Sequence, residues 1–499
     1  MVNKKKSCDG LVSVDENSPS HFSIDDCRKS DPAAGYRNGS SLNNQGENGN
    51  YWSSTPNESN TENAYNLNFN SSNHNVDWNN RNNGHTVRPV SELTPQVNSS
   101  GAVHHFTISR EQLLKDLYRA YKDARKNKKG RSYQLKFEFN LEENLVQLCD
   151  ALIERRYTPL PSTCFIIHDP KMREVFAANF RDRVVHHLFY NYTHELFERT
   201  FIYDSYSCIK NRGTHFGIER LKHHIRSESM GYKHECYVLK IDVKGYFMHI
   251  DRDILMNLCR KTLQTMRYHM ANDGRKWGEI LDYDFIDYLL EIIIYCNPLE
   301  DCNMLGDISE WDKLPHEKSL FYTPCNCGLP IGNLSSQLFS NIYMNAFDQY
   351  MKRELGCCHY GRYVDDAYVV SRDRTSLKKL IPRLNNFLRH NLKLSIHPHK
   401  TRIVNVRYGV EFLGAYLMPH RSYISNSSMY RIKRKLQNIK TSDTRHMQSS
   451  VNSFLGVMSH YDSYCLRRLI FGSNSRLLKC GQFSPDWLRF YPYEYVIKD

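Results

Sequence analysis

The sequence predicts an α+β fold that follows a long N-terminal segment without a packed core. Two runs of β-branched and aromatic residues, 237–242 and 363–370, have strand character, and each carries acidic residues. Stretches such as 109–126 have instead the apolar spacing of amphipathic helices. Residues 1–105 are rich in Asn, Ser, Gly and Asp and poor in aliphatic residues, a composition that favours disorder.

Length, composition and charge narrow the class of protein. The 499 residues, 40% hydrophobic and 12% aromatic, suffice for two or three compact units with a large core. Lys and Arg (67) exceed Asp and Glu (54) by 13, which favours a polyanionic partner such as RNA or DNA. The 15 cysteines come without a secretory signal, so we expect reduced thiols and no disulfide framework. No apolar stretch is long enough to cross a bilayer, and we expect a soluble, cytoplasmic protein.

The folded part is predicted to begin near Ser109, which forms a capping box with Gln112. The helix that follows should run to about Lys126. A second helix should be capped by Asn140 and end before 157–159. Each of these helices has one apolar face to bury.

Two strands are predicted next, at 164–167 and 174–177, joined as a hairpin. Lys171 and Arg173 lie at the tip of this hairpin, where basic side chains are ordinarily solvated. Residues 252–320 are predicted to be helical and rich in loops.

Three carboxylates carry the predicted chemistry. Asp365 and Asp366 lie at the turn of a second predicted hairpin, and Asp242 ends the strand at 237–242. A strand that delivers one carboxylate beside a hairpin that delivers two suits Mg²⁺, which prefers oxygen ligands. Two metal ions held close together catalyse phosphoryl transfer, which is the chemistry of polymerases.

On these residues the chain resembles a reverse transcriptase. Asp242 occupies the first carboxylate motif, and Tyr363-Val364-Asp365-Asp366 matches the Tyr-x-Asp-Asp motif. The resemblance covers about 108–470 and implies a right-hand polymerase with an antiparallel-sheet palm and a helical thumb. The implied domains are the N-terminal segment 1–105, fingers 106–235, palm 236–418 with an insertion at 252–320, and thumb 419–499.

The resemblance also implies the roles of individual residues. Asp242, Asp365 and Asp366 would be catalytic, and with the backbone of Val243 they would hold two Mg²⁺ ions, for which Mn²⁺ can substitute. The nucleotide would contact Lys171, Arg173, Phe247, Ile331, Gln337 and Lys400, and the primer and template would contact Arg212 and Gly414.

The implied nucleotide contacts each have a physical reason and an ordinary alternative. Lys171 and Arg173 would offset charge on the departing pyrophosphate. Phe247 would exclude the ribose 2′ hydroxyl by overlap, although an isolated Phe is more often a core residue. Lys400 could act as a general acid toward pyrophosphate, although a Lys beside a Pro turn is commonly a surface residue. Arg212 could contact a template phosphate or simply solvate a turn.

The run 328–337 indicates a particular class of reverse transcriptase. Enzymes of the group II intron and retroviral kind usually have Gln where Ile331 stands and Pro where Gln337 stands. Ile cannot donate a hydrogen bond, and the lost polar contact should weaken geometric checking of the base pair. This form of the motif resembles the diversity-generating retroelements.

The N-terminal segment permits two interpretations. Residues 43–83 are strongly enriched in Asn, as in a polar low-complexity tract. Residues 51–90 also resemble the C-terminal end of the C-type-lectin-like variable proteins of diversity-generating retroelements. Because Asn codons begin with two adenines, an unmutated template repeat would encode Asn where the target protein varies. The reading frame could therefore overlap the template repeat, although this repeat usually lies outside the polymerase frame.

Taken together, these features predict an RNA-directed DNA polymerase that copies a template-repeat RNA into cDNA with adenine-directed errors and so diversifies a target gene. Its implied partners are the template RNA, the cDNA or primer strand, deoxynucleotides and a small basic accessory protein, in a prokaryotic or phage-encoded system. The alternatives are a defence-type or retron-like reverse transcriptase and a catalytically silent RNA-binding protein.

Overall fold

The computed structural model describes residues 107–126, 130–169, 171–440 and 442–493, together with the backbone of short strands between 36 and 84. The chain forms two compact units, Met1–Ala102 and Val103–Asp499. Each unit is described by itself below.

The N-terminal unit contains two antiparallel sheets. One has the strand order β2-β1-β6, and the other has the order β3-β4-β5. The strands are β1 (Tyr36–Asn38), β2 (Ser41–Asn43), β3 (Gly49–Pro56), β4 (Asn63–Phe69), β5 (His74–Asn80) and β6 (Asn83–Gly84).

These short strands lie within the segment that the composition predicts to be disordered. In β4, Tyr65, Leu67 and Phe69 alternate with Asn66 and Asn68, which is the period of a strand. An argument from composition counts the Asn residues but does not consider their order, so it does not detect this alternation. The rest of the predicted disordered segment lies outside the described residues.

The second unit opens with three helices, α1 (Arg110–Arg125), α2 (Ser132–Phe139) and α3 (Leu141–Ile153). The Ser109 hydroxyl accepts a hydrogen bond from the Gln112 amide at 3.2 Å, as the capping signal predicts. Asn140 is the residue before α3, but its side chain makes no capping bond. Its backbone explains this difference, because φ of −124° and ψ of 53° do not have the extended conformation usual for a cap. The apolar faces of α1 and α3 contribute to the main core.

The predicted hairpin consists of β7 (Ser162–Ile167) and β8 (Arg173–Ala177), which pair in antiparallel register. A third strand, β10 (Cys302–Leu305), pairs with β7 in parallel. The sequence predicts helix and loop at this place. Strand β10 is four residues long and mostly exposed, so it carries little periodic signal of its own.

The central sheet has the order β11-β12-β9-β13, and all of its strands are antiparallel. Strand β9 is buried between β12 and β13. The strands are β9 (Tyr237–Ile241), β11 (Tyr360–Tyr363), β12 (Asp366–Ser371) and β13 (Arg402–Asn405).

Helices surround this sheet and form the main core with it. They are α4 (Phe180–Glu198), α5 (Thr214–Glu228), α6 (Arg252–Met266), α7 (Trp277–Ile280), α8 (Tyr283–Tyr295), α9 (Ser309–Asp312), α10 (Leu334–Gln349) and α11 (Arg374–Leu392). The antiparallel sheet matches the one expected from the sequence.

The C-terminal part is mainly helical and has its own apolar core, which includes Ile432, Val451 and Leu455. Its helices are α12 (Asn426–Gln437), α13 (Thr444–Ser459), α14 (Tyr464–Gly472) and α15 (Ser475–Cys480). A sheet of β14 (Val410–Phe412), β15 (Ala415–Met418) and β16 (Arg421–Ile424) precedes them, and β17 (Gly481–Phe483) pairs with β18 (Phe490–Pro492). None of the helices in the described part of the chain combines the length and apolar character of a membrane span.

Candidate active site

The central sheet brings the three predicted acidic residues together. Strand β12 pairs with β9 so that Ala367 lies opposite Ile241, which places Asp366 and Asp242 at the adjoining position of the two strands. Asp365 lies in the two-residue turn between β11 and β12, because Tyr363 pairs with Asp366. All three carboxylates therefore lie at one end of the sheet.

The turn itself has an unusual backbone. Val364 has φ of 56°, a left-handed conformation that is unfavourable for a β-branched residue. Such strain persists only where the surrounding structure enforces it, and it is concentrated at functional sites. The strain at Val364 fixes the direction in which Asp365 leaves the turn.

The electrostatics of the acidic residues show an excess of negative charge. Burial, together with the neighbouring charge of Asp366, raises the pKa of Asp365 to about 7. Burial and the charge of Asp242 also raise the pKa of Asp366, while Lys240 and Lys171 oppose part of this rise. A cation placed among these groups would relieve the repulsion between them.

Lys400 forms an ion pair with Asp242 at this end of the sheet. Its Nζ lies 3.1 Å from Oδ1 of Asp242, and more than half of its side chain is exposed. The main chain before it is fixed to the same residue, since the His397 amide donates to the Asp242 carbonyl at 2.7 Å. Lys400, which is predicted to contact the nucleotide, thus lies directly beside Asp242, a predicted catalytic acid.

The donor set of the site fits Mg²⁺. Asp242, Asp365 and Asp366 offer carboxylate oxygens at this end of the sheet, the ligands that Mg²⁺ prefers, and Mg²⁺ usually takes further ligands from substrate phosphates. In the described residues, no three His, Cys, Asp or Glu side chains already surround one point as a metal site. Asp242 is paired with Lys400 instead.

An ion pair that the sequence analysis missed supports the acidic turn. Arg362 and Asp348 are both fully buried, and Nη2 of Arg362 lies 2.7 Å from Oδ2 of Asp348. Arg362 also donates to the carbonyl of Val364 at 2.8 Å and so anchors the turn to helix α10. One signal was available, because Asn341 and Asp348 are seven residues apart and place polar groups on the buried face of that helix.

The two residues predicted to contact the sugar and base of the nucleotide pack on one apolar cluster. Phe247 and Ile331, both half-buried, contact the cluster of Cys164, Phe176, Met248 and Leu320. Hydrogen bonds fix both segments, since the Leu329 amide donates to the Phe247 carbonyl at 2.9 Å and the Phe176 amide donates to the Ile331 carbonyl at 2.8 Å. Gln337 is exposed in the first turns of α10.

The hairpin tip carries Lys171 and Arg173 with both side chains exposed. Lys171 is close enough to the acidic cluster to lower the pKa of Asp366 in part. The same tip contacts helix α12, because Asp169 forms an ion pair with Lys435 at 2.8 Å. The hairpin tip therefore lies within electrostatic range of Asp366 and contacts α12.

The two predicted template and primer residues have mainly local contacts. Arg212 donates to the carbonyls of Ile202 and Ser205 at 3.1 Å each, so its guanidinium holds a loop together. Gly414 closes the β14–β15 hairpin with φ of 84°, a conformation that favours glycine. Its carbonyl accepts a hydrogen bond from the Ser425 amide at the start of α12.

Comparison with known proteins gives a match for each unit. Residues 26–90 match a family model described as a domain of unknown function, DUF8237. Among solved structures, telomerase from Candida albicans in complex with a fragment of telomeric RNA has a TM-score of 0.35 at 12% identity, with 69% of this chain and 63% of that chain covered. Apo telomerase from Candida tropicalis has a TM-score of 0.38 at 12% identity, with coverages of 60% and 52%. The chain thus spans less than two thirds of the telomerase chains that it matches.

Two further matches concern the second unit. Protein YkfC of Escherichia coli strain K12 is 23% identical over 342 residues, which are 62% of this chain and 78% of that protein. Residues 168–417, half of the chain, match the family model for reverse transcriptase (RNA-dependent DNA polymerase), and this range includes the three acidic residues. The match confirms the enzyme class predicted from the sequence, an RNA-directed DNA polymerase. The chain belongs to the reverse transcriptase family.

Proposed function

We propose that this protein is the reverse transcriptase of a diversity-generating retroelement, which copies a template-repeat RNA into cDNA with errors directed by adenine. The observation that carries the polymerase part is the grouping of Asp242, Asp365 and Asp366 at one end of the central sheet. The reaction joins the 3′ hydroxyl of a primer to the α-phosphate of a deoxynucleotide and releases pyrophosphate.

The three carboxylates and the backbone of Val243 are the proposed ligands of two Mg²⁺ ions. The chemistry that bound Mg²⁺ supplies is activation of the attacking hydroxyl and neutralisation of charge on the leaving group. The carboxylates would fix the ions at the end of the sheet. Arg362 and Asp348 keep the turn that carries Asp365 in place, so the acidic residues need little rearrangement when substrate binds.

The hairpin tip is the proposed binding site for the triphosphate. Lys171 and Arg173 are exposed and therefore free to contact phosphate oxygens. Lys400, which is paired with Asp242 in the structure, is the proposed proton donor to the pyrophosphate. Phe247 would lie against the sugar and exclude a 2′ hydroxyl.

The retroelement class rests on Ile331 and the N-terminal segment. The side chain of Ile331 packs on apolar residues and offers no hydrogen bond to the incoming nucleotide, which supports weak checking of the base pair. Paired strands within 49–80, inside the segment that resembles variable lectin-like proteins, support an origin in a folded module rather than in a random polar tract. The template RNA, a primer strand and a small basic accessory protein are the proposed partners.

Primer extension tests the polymerase part of the proposal. We expect the purified protein to extend a primer on an RNA template with deoxynucleotides and Mg²⁺, and we expect Asp365→Asn to lose extension by at least about a thousandfold while retaining RNA binding. Asp301→Asn, at an exposed position outside the acidic cluster, is the matched control and should keep full activity. Near-normal extension by Asp365→Asn would remove the proposed mechanism.

Sequencing of the products tests the class. Errors concentrated opposite template adenines are expected for a diversity-generating enzyme. Uniformly faithful or template-independent products would favour the defence-type or retron-like alternative. If no condition gave primer extension while RNA binding was retained, the catalytically silent RNA-binding protein would be the remaining alternative.

A further inference from the structure

A buried carboxylate lies behind the predicted nucleotide surface, and nothing in the proposed reaction uses it. Glu174 is only 1% exposed and lies on β8, one residue from Arg173. It forms no ion pair with any Lys, Arg or His of the described chain. A carboxylate without a counter-charge is costly to bury unless hydrogen bonds satisfy it. The burial of Glu174 beside an apolar cluster therefore depends on the groups that donate hydrogen bonds to it.

Three neutral donors satisfy Glu174, and all of them come from one segment of the insertion. The indole Nε1 of Trp311 donates to Oε1 at 2.8 Å, and the Ser319 hydroxyl donates to the same oxygen at 2.9 Å. The amide of Leu320 donates to Oε2 at 2.7 Å. Glu174 thus ties the segment 311–320 to the β7–β8 hairpin.

Leu320 transmits this constraint to the nucleotide surface. Its side chain belongs to the buried cluster on which Phe247 and Ile331 pack. It also lies directly against Gly328, because a Cβ added at Gly328 would be 2.6 Å from Cδ2 of Leu320. The backbone at Gly328 donates in turn to the carbonyl of Ile250, close to Phe247 in the chain.

The two faces of strand β8 therefore both bear on the proposed nucleotide site. Arg173 points outward toward the proposed triphosphate position, while Glu174 and Phe176 point into the cluster that supports the sugar and base. A change in the position of Leu320 would shift Phe247 and Ile331 without touching any acidic residue of the active site.

We propose that Glu174 is a positioning residue that sets nucleotide affinity and the choice of deoxyribose over ribose by clamping Leu320 behind Phe247 and Ile331. This inference rests on the proposed polymerase function. Glu174 acts only through these neighbours and does not touch substrate.

Glu174→Gln is the test, because its amide keeps the shape of the side chain but presents N–H groups to three donors, so at least one hydrogen bond is lost. We expect KM for deoxynucleotides to rise about tenfold with kcat changed less than about threefold, and the preference for deoxynucleotides over ribonucleotides in kcat/KM to fall about tenfold, as expected for one lost buried hydrogen bond. Trp311→Phe removes only one donor and should shift both quantities in the same direction by a smaller factor. If Glu174→Gln does not fold, Trp311→Phe supplies the measurement.

Asp182→Asn is the matched control. Asp182 is also buried and accepts hydrogen bonds from the Tyr157 hydroxyl and the Leu160 amide, as well as one from Arg181, but it lies outside the cluster beneath the nucleotide. It should lose stability without changing sugar preference. Wild-type KM and sugar preference in folded Glu174→Gln or Trp311→Phe, or an equal loss of preference in Asp182→Asn, would overturn the inference. An inactive wild-type enzyme would instead refute the proposed function.

Discussion

The guanidinium of Arg362 and the carboxylate of Asp348 are both completely buried and form two hydrogen bonds, of 2.8 and 2.7 Å. The same guanidinium donates to the carbonyl of Val364. This pair connects helix α10 to the turn that presents Asp365. A strained turn needs such support because its own backbone conformation is unfavourable.

Asp348→Asn should be strongly destabilising. The substitution leaves the buried charge of Arg362 without its partner, and breaking a buried ion pair in this way costs about 3–5 kcal/mol. Chemical denaturation of the variant and the wild type gives the difference in the free energy of unfolding. Asp301→Asn, at an exposed position, should change it by less than about 0.5 kcal/mol. A loss of under about 1 kcal/mol in Asp348→Asn would mean that the pair does not hold the turn.

On the proposed function, Ile331→Gln should improve fidelity opposite template adenine. An amide at this position could restore a polar contact to the nucleotide, and a site built to form a hydrogen bond rejects an ill-fitting partner more strongly. We expect errors opposite template adenine to fall about tenfold, measured by sequencing cDNA made from a defined RNA. Ile308→Gln, at an exposed position, makes the same exchange away from the site and should leave the error spectrum unchanged. An unchanged error spectrum in Ile331→Gln would show that the residue at position 331 does not affect fidelity.

Gly332→Ala should damage both stability and nucleotide binding. Gly332 has φ of 131°, and an added Cβ would lie 2.8 Å from the carbonyl oxygen of Phe176, a backbone atom that cannot easily move. A conformation of this kind costs a residue with a side chain about 1–3 kcal/mol. We expect the free energy of unfolding to fall by that amount and KM for deoxynucleotides to rise.

Gly456→Ala provides the opposite control. Gly456 lies within helix α13, and apart from the adjacent residues and the backbone of the helix itself no heavy atom of the described chain lies within 4 Å of an added Cβ. Alanine should stabilise the helix by about 0.5–1 kcal/mol, because glycine loses more backbone entropy on folding. Chemical denaturation of Gly332→Ala and Gly456→Ala measures the change in the free energy of unfolding for each variant. If Gly332→Ala were as stable as Gly456→Ala, the close packing of the 328–332 turn against β8 would be in doubt.

Acid should destabilise the fold through buried histidines. Burial lowers the pKa of His224 from 6.5 to about 3 and that of His186 from 6.5 to about 4. Both are thus neutral in the folded protein but protonate near pH 6.5 when unfolded, so the unfolded state binds more protons between these values. Their contribution to stability is complete above about pH 6.5 and is lost as the pH falls toward 4 and 3.

His224→Gln isolates one of these contributions. His224 hydrogen-bonds to the Tyr368 hydroxyl and to Arg220, and Asp204 and Lys352 also act on it. Between pH 4.5 and 6, the slope of the free energy of unfolding against pH should be about 1.4 kcal/mol per pH unit smaller in the variant than in the wild type. Urea denaturation over this range measures it. Equal slopes would mean that His224 is protonated in the folded state.

Local pattern was enough to predict the strands that carry the three acidic residues. The hairpin at 360–371 and the strand at 237–241 were predictable because their residue types and acidic ends form short, continuous signals. The strands between 49 and 80 were missed because a count of Asn obscured their alternation. Strand β10 was missed because it is short and pairs only with a segment far away in the chain.

The sequence by itself determined the enzyme class and predicted the three acidic residues, because the motifs that carry them are short and continuous. It predicted the antiparallel sheet only through the family resemblance, because that sheet pairs strands more than 120 residues apart in the chain. Only the tertiary structure decided which partners enclose that site: Asp348 behind Arg362, Lys400 on Asp242, and Glu174 behind Leu320. Each of these contacts joins elements that are distant in sequence. Sequence periodicity indicates that a residue is buried, whereas packing determines what it is buried against.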